Sequence, residues 1–158
     1  MIRQFKDDER AISVSVGFVL TLAITVITMV VVISSFYDMI DRAEHTIMRD
    51  EFEIHGNDMA LQISNIDTAV QITKNAGGEV GSFFFELPLP DEIAGQQYSM
   101  EISNQTSEII FESHGKYATR VKVPYKVHET EVASVKLFSG SDDFILYYDP
   151  DTNMIEID

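Results

Sequence analysis

The chain has 158 residues, a formal net charge of −15 and no cysteine. That length leaves room for one modest domain, which must be held by its own core because no disulfide can help it. The acid excess makes nucleic acid a poor partner, and none is expected, since like charges would repel its phosphates.

The first ten residues set Arg3, Lys6 and Arg10 against Asp7, Asp8 and Glu9, so the acid excess falls further along. Residues 11–37 then contain no Asp, Glu, Lys, Arg or His. At ~1.5 Å per residue a helix of this length reaches ~40 Å, more than the ~30 Å hydrocarbon core of a bilayer. It exceeds the ~7–15-residue apolar region of a removable secretory signal, and no soluble strand runs so far. The stretch predicts a membrane-spanning helix. Three basic residues precede it, whereas Arg42 and Arg49 follow within similar reach. With the bulk of the chain after the span, this bias places the arm in the cytoplasm and residue 38 onward outside.

Ser13, Gly17, Thr21 and Thr25 recur every four residues within the span, with Thr28 next on the same side. Small residues at this spacing let helices approach closely in lipid. Equally, the hydroxyls can bond back to carbonyls of their own helix. Both readings stand.

Just ahead of the span the sequence reads Glu9-Arg10-Ala11-Ile12-Ser13-Val14-Ser15-Val16-Gly17. This resembles the N-terminal signal of archaeal type IV pilins and pilin-like proteins, and most of all its haloarchaeal form. The resemblance implies cleavage by a prepilin peptidase on the cytoplasmic side of the helix. Arg10 and Ala11 would then close the leader and Ile12 would become the new N-terminus. It also implies that the apolar helix stays on the mature protein as anchor and as assembly surface for other pilin-like subunits. Val14 stands where haloarchaeal pilins usually carry proline, which points to a minor, pilin-like subunit. Bacterial pilins place a glutamate where this chain has Val16; its absence is the usual archaeal situation. The acidic, Lys-poor composition suits strong salt, where charge is screened within a few ångströms, and suits an ordinary extracellular surface too.

Beyond the span, Ile40, Ala43, Ile47, Met48, Phe52, Met59, Ile63, Ile66 and Val70 fall on helical spacing, with charged residues between them. Gly56-Asn57-Asp58 predicts a kink or short break without change of phase, and the helix should stop near Asn75-Ala76-Gly77-Gly78. Strands are expected over residues 82–87, 97–103, 108–112, 135–138, 144–148 and 154–157, the last two joined by a turn at Asp149-Pro150-Asp151-Thr152-Asn153. The clearest alternation covers residues 117–128. Tyr117, Val121, Val123, Tyr125 and Val127 face one way, and Arg120, Lys122, Lys126 and His128 the other. Pro124 puts this strand at an edge or a bulge. Its basic residues suit either an acidic face of a neighbouring subunit or acidic neighbours in the same sheet.

Motifs for chemistry are few. Asn104-Gln105-Thr106 is an N-glycosylation sequon on a loop between strands. Asp149, Asp151 and Asn153 imitate the start of a calcium loop, but Met154 stands where that loop needs glycine. His45, His55, His114 and His128 are scattered, with no metal-ligand spacing. No phosphate loop, dinucleotide fingerprint or nucleophile elbow is present. No cofactor and no enzymatic activity are expected.

The expected architecture is α+β: a long N-terminal hydrophobic helix, transmembrane then amphipathic, followed by a small antiparallel β-sheet domain. Its parts are a cytoplasmic leader (1–11), a transmembrane helix (11–37), an amphipathic stalk (38–76) and an extracellular β domain (77–158). The expected function is that of a membrane-anchored, minor pilin-like subunit of an archaeal type IV pilus or related surface assembly. Its partners would be similar subunits, a prepilin peptidase and the lipid bilayer. The alternative is an uncleaved single-pass anchor for a binding or sensory domain.

Overall fold

The computed structural model describes residues 2–115, 118–140 and 144–158, with side chains from Ser15 onward. The chain divides into two units, Met1–Ala43 and Glu44–Asp158. One helix, α1 (Ile2–Asn75), supplies all of the first unit that is described and opens the second. In the first unit every side chain from Ser15 to Ile40 is exposed.

The second unit adds eight strands: β1 (Phe83–Leu87), β2 (Tyr98–Ser103), β3 (Glu108–Ser113), β4 (Arg120–Pro124), β5 (Glu131–Val132), β6 (Val135–Phe138), β7 (Phe144–Asp149) and β8 (Met154–Ile157). They form two four-stranded sheets, ordered β1-β7-β8-β5 and β4-β3-β2-β6. All pairings are antiparallel except β5 with β8. The α+β architecture is therefore the expected one, a long apolar helix and then small antiparallel sheets. Six of the strands start and stop within a residue of where alternation and turn residues put them.

The part of α1 in this unit is amphipathic. Met48, Phe52, Met59, Ile63, Ile66 and Val70 are buried and share one core with β2, β3, β4, β7 and β8. Phe52 stacks on Phe111, with centroids 5.3 Å apart, and lies tilted against Tyr98 at 5.5 Å. Burying such a ring contributes about 2–3 kcal/mol. Ile40, Ala43 and Ile47, expected on the same stripe, are exposed. Met48 follows Ile47 directly, and adjacent residues on a helix point about 100° apart, so only one of the two can face the core.

The expected break at Gly56-Asn57-Asp58 does not occur; the helix is continuous through it. Gly56 has another role. It is buried, and a Cβ there would lie 2.6 Å from Val123 Cγ2 and 3.6 Å from the Phe111 ring. The glycine lets α1 approach β4 closely, while Asn57 and Asp58 point to solvent. The true end comes at Gly77, at φ 72°. Its N–H donates to the Lys74 carbonyl at 2.9 Å, and the Gly78 N–H donates to that of Thr73 at 3.0 Å. This is a Schellman stop, built on the glycine that the sequence offered.

The long strand expected over residues 117–128 is shorter. Only Arg120–Pro124 pairs, at the edge of its sheet, with Val121 and Val123 buried and Arg120, Lys122 and Pro124 exposed. Pro124 has no N–H to continue a ladder. The next residue leaves it, Tyr125 donating its N–H to the Ser107 carbonyl at 3.0 Å and its hydroxyl to Ser103 O at 3.1 Å. Tyr117 lies outside the described residues.

Replacing Gly56 by alanine should lower stability by about 1 kcal/mol, although alanine is the better helix former by about that much. In a Val123→Ala background the same change should become neutral or stabilising. Denaturant unfolding of the four variants in detergent measures the coupling; additive effects would show that the close approach is not what selects glycine.

Candidate functional site

The largest uncovered apolar surface is the helix of the first unit. Val16, Phe18, Val19, Leu20, Leu22 and Ile24 each expose more than half their area, and the pattern continues to Ile40. By length and composition this helix is able to cross a membrane. Four of its hydroxyls are already satisfied: Thr21 donates to Gly17 O, Thr25 to Thr21 O and Thr28 to Ile24 O, each at 2.8 Å, and Ser35 to Val31 O at 2.9 Å. Such back-bonds let hydroxyls sit in hydrocarbon without an unsatisfied donor. Nothing lies within 4 Å of where a Gly17 Cβ would stand. Gly17, Thr21 and Thr25 therefore leave a low strip along the helix, the shape that a second helix fits. The side chains of Arg10, Ala11, Ile12 and Ser13 lie outside the described residues.

In the second unit the basic residues gather around β4. A cleft of about 510 Å³ is lined by His45, Arg49 and Glu53 from α1 and by Thr119, Arg120 and Lys122. His45 Nδ1 lies 2.8 Å from the Thr119 hydroxyl. Arg49 pairs with Glu53 at 3.0 Å on an exposed helix face, a contact worth under about 1 kcal/mol. Lys122 Nζ donates to Glu108 at 2.7 Å. The Lys122 ammonium holds the Glu108 carboxyl below its ordinary value, against an upward push from partial burial. The Thr106 hydroxyl and the charge of Arg120 reinforce the lowering. In the ladder, Arg120 stands opposite Glu112. Acidic neighbours in its own sheet thus engage much of this charge.

α1 also carries apolar side chains on the side turned away from the buried face. Ile47, Ile54, Leu61 and Ile72 are each more than half exposed. Asp50 and Asp58 stand exposed beside them. The aromatic β1 strand, at the edge of its sheet, leaves Phe84 74% exposed, so this domain has apolar surface outside the helix as well.

The Asp149 turn spends its donors and acceptors on structure. Asp149 accepts the Asp151 N–H and the Thr152 hydroxyl, both at 2.9 Å. Asn153, at φ 58°, donates to Glu129 O at 2.7 Å and accepts from Tyr148 at 2.9 Å and from Lys74 at 2.8 Å. Among the described residues no group of three or more His, Cys, Asp or Glu side chains is placed to hold a metal ion.

A buried charged residue escaped the sequence reading. Asp67 is 3% exposed on the buried face of α1, between Ile66 and Val70. Its carboxylate accepts the N–H groups of His128, Glu129 and Thr130 at 2.8, 2.9 and 2.9 Å, and the Thr130 hydroxyl at 2.9 Å. Burial pushes the carboxyl pKa up, but these bonds, led by that of Glu129, outweigh it, and the net direction is down. A charged residue in phase with an apolar stripe was the available signal; the loop it closes has no pattern of its own.

A family model matches residues 7–158, and its description is a family of unknown function (DUF7266). The chain belongs to the DUF7266 family. The match takes in the apolar helix together with the β domain, so the family is defined by both parts at once. No curated protein and no solved structure matches the chain.

Asp67→Asn should cost about 2–3 kcal/mol at neutral pH, because an amide turns a donor toward a row of N–H donors. The sign of the pH effect follows from the lowered folded pKa. The contribution of Asp67 is fully present above the ordinary value of 3.8 and fades as pH falls through the folded value. Unfolding free energies of both forms between pH 7 and 2 should converge at the acid end; a constant gap would contradict an ionised latch.

Proposed function

We propose that this chain is a pilin-like subunit, in a minor role, of a type IV pilus or related surface filament of a salt-loving archaeon. A prepilin peptidase would remove the leader between Ala11 and Ile12. The mature helix would anchor the protomer in the membrane until it packs with other such helices. The β domain would face the exterior. The observation that carries this reading is the run Glu9-Arg10-Ala11-Ile12 directly ahead of an uninterrupted apolar helix.

Supporting it are the bare apolar flanks of that helix and the low strip at Gly17, Thr21 and Thr25. Interhelical contact in lipid depends on close packing, and small residues permit it. A strongly acidic surface is compatible with brine and disfavours association at low salt.

A permanently anchored external domain is the second reading. It is favoured by the back-bonded hydroxyls, since Thr21, Thr25 and Thr28 need no neighbouring helix to satisfy them.

The two readings separate at the N-terminus. Mass spectrometry of the protein from native membranes should find chains beginning at Ile12, and Arg10→Ala should leave the leader in place. Chains still carrying residues 1–11 in wild-type membranes would establish the uncleaved anchor instead.

A further inference from the structure

We propose that Asn104 is an N-glycosylation site whose carboxamide the fold leaves free for that modification. The inference rests on the reading that the β domain lies outside the cell. The acceptor tripeptide Asn104-Gln105-Thr106 occupies the turn between β2 and β3, and all three residues are exposed.

The hydrogen bonding of that turn is the second observation. An asparagine at such a place ordinarily folds its side chain onto nearby backbone to close the turn. Here other groups do that work. The Asn104 N–H donates to the Ser134 hydroxyl at 2.9 Å, and the Thr106 N–H to the Ser103 hydroxyl at 3.3 Å. Tyr125 ties down the far side through bonds to the carbonyls of Ser103 and Ser107. The left-handed backbone position falls on Ser107, at φ 52°. The Asn104 carboxamide itself makes no hydrogen bond among the described residues, so it is exposed and uncommitted on a fixed scaffold.

The chemistry is a group transfer. The side-chain Nδ2 of Asn104 forms a bond to C1 of a sugar carried on a lipid phosphate or diphosphate. The C1–O bond to phosphate breaks, the lipid phosphate leaves with the electron pair, and Nδ2 gives up one proton to a base of the membrane transferase. The hydroxyl at Thr106 is the second recognition element of the acceptor. A saccharide there would project from one end of the β4-β3-β2-β6 sheet and add a hydrated, uncharged bulk to an acidic surface.

The test uses the full chain from native membranes. Cleavage after acidic residues releases residues 102–108 as one peptide. Its mass should exceed that of the bare peptide by one or more sugar residues. Asn104→Gln and Thr106→Ala should each abolish the increment, while Thr106→Ser should retain it. Because the carboxamide supports nothing, Asn104→Gln should unfold at the same denaturant concentration as the enzymatically or chemically deglycosylated wild type. A bare peptide from wild-type membranes overturns the proposal. Labelling of Lys126 by a membrane-impermeant amine reagent in the same intact cells separates the two possible failures. Labelled lysine with bare Asn104 refutes the site alone, and unlabelled lysine refutes the external placement on which it rests.

Discussion

From Val16 to Tyr37 this chain presents apolar side chains on every side of a single helix, and among the described residues nothing else in its unit lies against them. Left in water, that surface would cost roughly 25 cal/mol for each square ångström, far beyond what a small domain can offset. Some other medium must cover it. A helix is the form in which such a segment can enter lipid, because each backbone N–H and C=O is bonded within the segment. The hydroxyls of Thr21, Thr25, Thr28 and Ser35 follow the same rule, closing onto carbonyls one turn back. These four hydroxyls are thus already bonded within the helix, and at their positions a neighbour is attracted chiefly by shape. This is why the low strip at Gly17, Thr21 and Thr25 matters more to the assembly reading than any polar group.

The second unit solves a different problem, that of folding a small, acidic, disulfide-free domain. It does so by using its stretch of α1 as the central core element. Phe52 enters between Tyr98 and Phe111, and Gly56 lets the helix draw close to Val123. Asp67 then fixes the loop ahead of β5 through four bonds to one carboxylate. Lys74 closes the arrangement by reaching the Asn153 side chain at the β7–β8 turn. These contacts spread along the helix, so truncating it from its C-terminal end would remove clasp, latch and core in turn.

Much of this was legible in the residues. Alternation located β2, and glycines located the end of α1, because in both places the local preference and the tertiary demand agree. Where they disagree, local reasoning fails. Gly56-Asn57-Asp58 carries stop signals, yet packing on β4 holds the helix straight through them. Ile47 and Met48 are equally apolar, but only one can face the core. β5 is two residues long and pairs in parallel with β8, and no periodicity can announce such a strand. Asp67 broke an apolar stripe and was passed over, since a buried carboxylate makes sense only once its donors, some sixty residues away, are known. For the candidate surfaces, the leader and small-residue strip were readable as motifs. The spent chemistry of the Asp149 turn and the idle carboxamide of Asn104 emerged only from their hydrogen bonds.

The central claim is that the apolar helix makes contact with its own kind. The chain has no cysteine, so single cysteines can be introduced one at a time without background. Thr21→Cys, Ala23→Cys and Thr25→Cys sample opposite sides of the helix within native membranes. Mild oxidation should yield disulfide-linked dimers from the substitutions at Thr21 and Thr25, and little from that at Ala23. Monomer alone at all three positions, from protein that is abundant and correctly inserted, would contradict the claim.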